Sequence, residues 1–270
     1  MHGAGNDFII INNISEKIPA EALGALAKEL CTPHLSVGAD GLMAVMPASC
    51  GGDYAMLFYN ADGSLGEMCG NGARCIARYG YEHGLAGERQ HIETTAGLVV
   101  GQRVTKERYR VRLNDPSVID LHRRVEALGR EFELCYLELG DPGLPHAVLL
   151  TPELEEIDRK TLFALGCELR YCPAFPKGAN VTFVKPIGKD ALKAVTFERG
   201  VEDFTLACGT GCGSTVAALS LLGLVSGKEV AVSMPGGELS VSVDISSGTA
   251  KDIYLIGPAV VVYEGEIKGK

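Results

Sequence analysis

The chain contains no tryptophan, and aromatic residues make up only 6% of its 270 residues. It therefore offers no evident aromatic platform on which bases or sugars could stack. Basic residues are also scarce, because 25 Lys and Arg stand against 34 Asp and Glu, for a net charge of −9. Nucleic-acid phosphates require a basic surface, so the composition argues against a nucleic-acid partner.

Long apolar runs are missing as well. No segment approaches the ~20 apolar residues that span a bilayer, so no membrane association is expected. The first residues lack a basic stretch followed by an apolar core, and we expect no signal peptide there. Together these features favour a cytoplasmic protein.

The nine cysteines include no C-x-x-C pair, which argues against a zinc ribbon, a thioredoxin-like dithiol or any other metal site. An odd number of cysteines in a chain of this size also argues against a disulfide framework. Cys31, Cys50, Cys135 and Cys167 are expected to be small buried hydrophobic residues.

Two cysteines stand out because each begins the same short motif. Cys69-Gly70-Asn71-Gly72 and Cys208-Gly209-Thr210-Gly211 lie 139 residues apart, about half the chain, and a helical pattern follows each. A cysteine at a helix N-terminus is stabilised as thiolate, and the first N–H groups of the helix form an anion site. Two such thiols acting on one carboxylate-bearing substrate would be an acid and a base on opposite faces of a carbon.

The remaining pattern predicts an α+β fold built from two similar units, each with many strands around one helix. The expected boundary is the Pro-containing break at 114–117, which divides the chain into residues 1–115 and 116–257. We expect strands at 7–11, 41–46, 54–59, 91–94, 98–104, 109–114, 132–139, 146–150, 181–184, 194–197, 229–233, 239–245 and 253–263, and helices at 20–30, 70–84, 158–166 and 209–224.

Polar residues suited to an amino-acid substrate occur in turns beside these strands. Asn6, Asn60 and Asn180 each occupy such a turn, and Glu198-Arg199 ends a strand ten residues before Cys208. An Arg binds a carboxylate with two hydrogen bonds and a Glu pairs with an ammonium, although a solvated ion pair would give the same sequence. His146 is expected to be a buried, hydrogen-bonded histidine, with tuning of a thiol as the alternative.

A dinucleotide fingerprint is the competing interpretation of Gly209-Thr210-Gly211-Cys212-Gly213. Its third glycine is misplaced, and no acidic residue ends a following strand at the required distance. Nucleotide binding is therefore not expected.

The chain resembles the diaminopimelate epimerase family of cofactor-independent, two-cysteine racemases and epimerases. The matching segments follow the family's order and are 2–8, 59–64, Met68 with 69–75, 145–148, 175–176, 180–181, 197–202 and 205–211.

The resemblance implies two pseudo-symmetric domains, each a curled, mostly antiparallel sheet around a central helix, with the site in the cleft between them. It implies that Cys69 and Cys208 are the acid–base pair and that no cofactor is used. It further implies a homodimer, and a last strand at about 258–270 that completes the first half. The substrate-binding residues that it implies are Gly70, Asn71, Gly209 and Thr210 for the α-carboxylate, and Asn6, Asn60, Asn180, Glu198 and Arg199 for the rest, with His146 in support.

The chain departs from the family's pattern at two polar positions. Leu144 stands where members often carry Asn before Pro-His, and Gly41 stands where some carry Gln. The implied reaction is conversion of the LL form of diaminopimelate to the meso form. Leu144 keeps open a racemase of another amino acid, such as histidine or glutamate. A third alternative is an isomerase or binding protein of the related phenazine-biosynthesis type, and the presence of both cysteines argues against it.

Overall fold

The computed structural model describes residues 1–66 and 69–267, so Met68 lies outside the described residues. It divides the chain into two compact units, Met1–Val111 with the chain from Gly257 onward, and Arg112–Ile256.

The described residues of the first unit form seven strands and three helices. In chain order they are β1 (His2–Gly3), β2 (Asn6–Asn12), α1 (Asn13–Glu16), α2 (Ala20–Leu30), β3 (Gly41–Met46), β4 (Tyr54–Asn60), α3 (Gly70–Glu82), β5 (Arg89–Thr94), β6 (Gly97–Arg103) and β7 (Arg108–Arg112).

Two helices cover the sheet of this unit, and β3 shows why its sequence is apolar throughout. Leu42 and Ala44 pack with Leu23 and Ala27 of α2. Met43 points the other way, because a Cβ on Gly72 of α3 would lie only 1.8 Å from its Cε atom. A strand covered on both faces is a continuous hydrophobic run rather than an alternating one.

The second unit contains nine strands and two helices. They are β8 (Pro116–Ala127), β9 (Arg130–Leu139), β10 (Leu144–Leu150), α4 (Arg159–Arg170), β11 (Asn180–Gly188), β12 (Ala191–Glu198), β13 (Asp203–Phe204), α5 (Gly209–Leu221), β14 (Val230–Met234), β15 (Gly237–Ser246) and β16 (Thr249–Pro258).

Strand pairing follows the same order in both units. From β2 to β7 the pairs run parallel, antiparallel, parallel, antiparallel and antiparallel. The sequence β10, β11, β12, β14, β15 and β16 repeats that order. The 13-residue helices α3 and α5 occupy corresponding places, before β5 and before β14. The predicted α+β class is confirmed.

The two compact units adjoin in the chain at Val111 and Arg112, just before the Pro-containing break expected at 114–117, and strand β8 begins within that break, at Pro116. Two expected strands differ from the structure. The last long strand is Thr249–Pro258 rather than 253–263. Between residues 259 and 267 the chain forms only an isolated bridge, His2 to Val260, instead of the strand expected at 258–270, whose last three residues lie outside the description.

No helix among the described residues is both long enough and apolar enough to cross a membrane.

Candidate active site

Cys69 is the N-cap residue of α3, as the motif predicts. Its backbone is extended, with φ −108° and ψ 120°, and its side chain makes no capping hydrogen bond. Gly70 and Asn71 form the buried start of the helix. The first N–H groups of a helix have no partner within it, so this turn provides hydrogen-bond donors beside a thiol.

A tight hairpin brings Asn6 to this thiol. His2 pairs with Asp7 and Gly3 with Asn6, and both residues of the connecting turn have positive φ, 56° at Ala4 and 86° at Gly5. Positive φ at both central positions is the type I′ geometry that suits two-residue hairpins. The Cys69 thiol then donates to Asn6 Oδ1 over 3.4 Å.

The Asn6 amide belongs to a chain of hydrogen bonds that ends in charged groups. Arg74 Nη2 donates to Asn71 Oδ1 at 3.0 Å, and Asn71 Nδ2 donates to Asn6 Oδ1 at 3.4 Å. Asn6 Nδ2 in turn donates to the carboxylate of Asp40. The Arg74 side chain is fully buried, whereas Asp40 is exposed.

Asn60 lies in an exposed turn at the end of β4. Its Nδ2 donates to Ser64 Oγ at 3.0 Å, and its backbone N–H donates to the Ser64 carbonyl at 2.9 Å. The departure at Gly41 has a steric cause, because a Cβ there would lie 2.5 Å from Phe58 Cε2 and 2.7 Å from the Tyr59 carbonyl oxygen. In this chain a side chain at position 41 would require Phe58 or the backbone of β4 to shift.

Cys208 is the N-cap residue of α5, with φ −115° and ψ 105°. Its Sγ lies 3.7 Å from Thr210 Oγ1. The next glycine, Gly211, rests on two hydroxyls that face each other across β11 and β12. Thr182 Oγ1 and Thr196 Oγ1 lie 2.9 Å apart, and each would be 3.1 Å from a Cβ on Gly211. A side chain at position 211 would push these hydroxyls back by a few tenths of an ångström.

The protonated form of Cys208 is strongly favoured. Burial raises its pKa well above the ordinary value, and the Glu198 carboxylate raises it further. Hydrogen bonds from the Gly211 N–H and from Thr210 lower the pKa to a smaller extent. The thiol of this unit therefore carries its proton at neutral pH.

Asn180 connects two other predicted residues of the second unit. It is buried, its Nδ2 donates to the Pro145 carbonyl at 3.2 Å, and its Oδ1 accepts from the Arg199 N–H at 2.9 Å. Arg199 Nη1 donates to the Lys177 carbonyl at 3.0 Å. Glu198 accepts from Thr205 Oγ1 at 2.8 Å. Leu144, half-buried, begins β10 just before Pro145.

His146 is fully buried opposite Asn180, in the parallel pair β10 and β11. The expectation of a hydrogen-bonded histidine is wrong, because neither ring nitrogen has a partner among the described residues. Burial and the charge of Arg199 lower its pKa to about 3. The imidazole is therefore neutral at physiological pH.

The structure thus gathers Asn6, Cys69, Gly70 and Asn71 at one end of α3. In the second unit, Asn180 joins Arg199 directly, while Cys208 is near Thr210 and Glu198. Sequence analysis missed Asp40, Arg74, Thr182 and Thr196. Asp40 could have been noticed as a charged residue directly before an apolar strand, but its partner is 34 residues away in the chain.

The other cysteines are only partly as expected. Cys31 and Cys135 are buried, Cys167 is half-buried, and Cys50 is exposed. The loop that carries Cys50 folds around a carboxylate, since the N–H groups of Ser49, Cys50 and Gly52 all donate to Glu93. Those bonds hold the backbone at the surface and leave the side chain in solvent. No group of three or more His, Cys, Asp or Glu within residues 1–66 and 69–267 is arranged to hold a metal ion.

Known proteins resemble this chain along nearly all of its length. The family model described as "Diaminopimelate epimerase" matches residues 1–118 and 140–262. A protein named diaminopimelate epimerase from Aquifex aeolicus is 35% identical over 276 residues, covering 99% of this chain and 96% of the relative. One of the same name from Methanothermobacter thermautotrophicus is 35% identical over 285 residues, covering 98% and 96%.

Solved structures with much lower identity share the fold. A methylitaconate-delta-isomerase aligns with a TM-score of 0.67 at 13% identity, covering 95% of this chain and 90% of its own. A phenazine biosynthesis family protein from Enterococcus faecalis aligns with a TM-score of 0.60 at 15% identity, covering 93% and 87%. At such identities the likeness is one of fold alone.

Proposed function

Because the chain belongs to the diaminopimelate epimerase family, we propose that it inverts the α-carbon of LL-diaminopimelate to give the meso form. One observation carries the proposal. Each unit contains a 13-residue helix that begins at a glycine, directly after an N-cap cysteine with an extended backbone. A thiol and a set of helix N–H donors therefore occur together twice. The meso product is a precursor for lysine and peptidoglycan.

The difficulty of the reaction is the weak acidity of an amino-acid α-proton. No electron sink such as pyridoxal phosphate is proposed, so the protein must stabilise the carbanion through groups aimed at the carboxylate. We assign this role to the backbone N–H groups of Gly70, Asn71, Gly209 and Thr210. Helix N-termini stabilise negative charge there at no cost in reorganisation during the reaction.

The two thiols exchange roles with the direction of reaction. One, as thiolate, removes the α-proton, and the other, as thiol, donates a proton to the opposite face of the carbanion. The proton removed stays on the first sulfur, so the opposite enantiomer meets the reverse arrangement. Asn6, Asn60, Asn180, Glu198 and Arg199 are proposed to hold the rest of the substrate, with Arg199 suited to a carboxylate and Glu198 to an ammonium.

Proton exchange at Cα tests the reaction directly. The reduced protein is incubated in D2O with LL-diaminopimelate, meso-diaminopimelate and a panel of L-amino acids, and deuterium at Cα is followed by NMR. We expect exchange with both diaminopimelate isomers, and no interconversion of the LL and meso forms in Cys69→Ala or Cys208→Ala. Full activity in either variant would contradict the mechanism.

Cys75→Ala is the matched control. Cys75 is a buried thiol in α3, the same helix that begins directly after Cys69. We expect it to retain interconversion of the LL and meso forms. All three variants should show circular dichroism spectra like that of the unmodified chain, so that loss of interconversion reports chemistry and not unfolding.

Leu144 is the observation that favours a second substrate. An apolar side chain before Pro145 offers no hydrogen bond to a polar end of the substrate, and a racemase of histidine or glutamate would use the same thiols. Exchange with one of those amino acids, and none with diaminopimelate, would select that alternative. No exchange with any substrate would favour the phenazine-biosynthesis type.

We also propose a homodimer formed through the first unit. Val37, Val262, Tyr263 and Ile267 are exposed by 39%, 63%, 63% and 53% around a groove of about 450 Å³ beside β2. Beyond Asp7, β2 has no neighbouring strand on one side within the described part of the chain. A row of exposed apolar side chains along an open strand edge suits a second copy of the chain.

Sedimentation velocity tests the dimer. Val262→Asp should shift the chain from dimer to monomer, whereas Leu98→Asp, at a site 57% exposed outside the groove, should not. A monomer in the unsubstituted chain at micromolar concentration would contradict the proposal.

We further propose that the protein acts in the cytoplasm, where its nine cysteines would stay reduced. The described cysteines form no disulfide. Fractionation of cells tests this location. Recovery of the protein in the envelope fraction would contradict it.

A further inference from the structure

The hydrogen-bond chain beside Cys69 has a direction that chemistry alone fixes. Its first member, Arg74, is a guanidinium, which only donates. Its last member, Asp40, is a carboxylate, which only accepts when ionised. An amide between a pure donor and a pure acceptor has one orientation that satisfies both, so the two asparagines cannot flip independently.

This direction decides which atom faces the thiol. Asn71 must turn Oδ1 to Arg74, so its Nδ2 faces Asn6, and Asn6 must turn Nδ2 to Asp40. Asn6 Oδ1 is therefore the atom presented to Cys69 Sγ, at 3.4 Å. An acceptor stabilises a thiol that donates to it and does not stabilise a thiolate, in contrast to the helix N-terminus.

We propose that Arg74 and Asp40 are positioning residues that hold the carbonyl oxygen of Asn6 toward Cys69, so that this thiol keeps its proton in the free protein. The proposal rests on the proposed function, in which Cys69 exchanges a proton with substrate. Neither positioning residue needs to touch substrate, because each acts through an asparagine. The chain of hydrogen bonds opposes the effect of the helix N-terminus, which would otherwise make Cys69 ionise before Cys208.

Other charged groups occur on the segments that carry Asn6, Asp40 and α3. The Asp7 carboxylate accepts from the Asp40 N–H at 3.1 Å, and the Met1 amino group donates to the Phe8 carbonyl at 2.9 Å. The Cys75 thiol is buried further along α3, and Arg78 lies beyond it. Asp7 is the useful comparison, because it carries the same charge beside the same loop but is outside the amide chain.

Alkylation of Cys69 as a function of pH tests the proposal independently of activity. Full-length chains carrying Cys208→Ser, which removes coupling to the second thiol, and Asn71→Ser, which removes the amide that holds Asn6 Oδ1 from the Arg74 side, are treated with iodoacetamide across pH 6–10. Peptide mass spectrometry separates Cys69 from the other cysteines. In this background Asp40 alone fixes Asn6, and Asp40→Asn, which can both donate and accept, frees Asn6 to turn its Nδ2 toward the thiol. We expect the pKa of Cys69 to fall by about one unit in this variant.

Asp7→Asn is the matched control. An effect of charge alone would lower the pKa of Cys69 equally in both variants, and that result would overturn the proposal, as would no change in Asp40→Asn. The Cys208→Ser chain with Asp40 intact gives a second measurement. This measurement does not depend on whether the Asp40 variant folds. A Cys69 pKa more than one unit below the ~8.5 of an ordinary cysteine would also overturn it.

Activity separates this proposal from the proposed function. If alkylation behaves as expected but no substrate exchanges its α-proton, the hydrogen-bond chain is supported and the function is wrong. If both are correct, Asp40→Asn combined with Asn71→Ser should move the acidic limb of kcat/KM to lower pH than Asn71→Ser alone. The shift should be equal in both reaction directions, because the ratio of the two kcat/KM values is set by the equilibrium constant of the reaction.

Discussion

At the scale of single residues, the site depends on a few polar atoms whose surroundings control their protons. Burial and Glu198 favour the thiol at Cys208, and an acceptor oxygen faces the thiol of Cys69. The protonated cysteine is therefore favoured at Cys208, and the proposed role of Asn6 extends this to Cys69. Turnover needs one thiolate, so kcat/KM should rise with pH up to the ionisation of the first thiol.

His146 gives a prediction about stability and pH. Its pKa is about 3 in the folded chain against an ordinary value of 6.5, so the unfolded chain binds a proton between these pH values while the folded chain does not. Stability is therefore lost as pH falls from 6.5 towards 3, by roughly 1.4 kcal/mol per pH unit from this group. His146→Leu should remove that part of the pH dependence.

Urea unfolding at pH 7, 6, 5 and 4 measures the effect. The difference in the free energy of unfolding between His146→Leu and the unsubstituted chain should grow in favour of the variant as pH falls. His34→Asn, at an exposed position with positive φ that asparagine tolerates, is the control and should follow the unsubstituted chain. Parallel curves for His146→Leu and the unsubstituted chain would show that the imidazole is not neutral when buried.

Sequence analysis recovers the residues that act through local structure and misses those that act at a distance. Cys69 and Cys208 could be placed as N-cap residues because the following glycines and helical pattern are adjacent in sequence. Asp40 meets Asn6 only because β2 and β3 pair in parallel, which brings Phe8 beside Gly41. Nothing local to either residue carries that information.

At the scale of elements, most helices and strands lie near their predicted positions, and β8 shows what escapes the pattern. Only Val125 and Ala127 are buried in this 12-residue strand, so its sequence alternates weakly. It pairs with β9 on one side, as an edge strand does, and Pro116 is tolerated at its start. An alternating apolar and polar pattern predicts a strand that buries one face. Strand β8 buries little of either face, so this pattern does not reveal it.

The packing of α3 against its sheet gives a prediction at this scale. A Cβ on Gly80 would lie 2.5 Å from Tyr54 Oη and 2.7 Å from two of its ring atoms. The tyrosine cannot move easily, because it is buried and its hydroxyl is 2.6 Å from Gln90 Oε1. Gly80→Ala should therefore destabilise the chain by about 2 kcal/mol.

Helix propensity predicts the opposite sign, since Ala in a helix interior is favoured over Gly by about 1 kcal/mol. Thermal and urea unfolding of Gly80→Ala decide between the two effects. Gly87→Ala is the control, because a Cβ there meets nothing within 4 Å, and its stability should change by less than about 0.5 kcal/mol. A more stable Gly80→Ala would mean that Tyr54 yields.

At the scale of the whole molecule, the spacing of the two cysteine motifs predicted a repeated unit, and the shared order of parallel and antiparallel pairs agrees with it. The sequence alone could not test the strand expected at 258–270, because this segment contributes to the first unit in a different way. Val260 bridges to His2 by two backbone hydrogen bonds, and the preceding carbonyls accept from buried arginines. This segment stabilises the first unit through acceptors rather than through a strand.

Those acceptors give the last prediction. Arg74 Nε donates to the Pro258 carbonyl at 3.3 Å, and Arg78 Nη1 donates to the Ala259 carbonyl at 2.6 Å. Deleting 257–270 removes both carbonyls and leaves two buried guanidinium groups with fewer acceptors, at a cost of several kcal/mol. The first unit should then lose hydrogen-exchange protection in α3 and β2, whereas the second unit should keep protection in α5 and β11.

Deleting only 264–270 retains both carbonyls and should leave protection in the first unit unchanged. Equal protection of α3 in the two truncated chains, measured by mass spectrometry, would show that the arginines find other acceptors and that the returning segment does not stabilise the first unit.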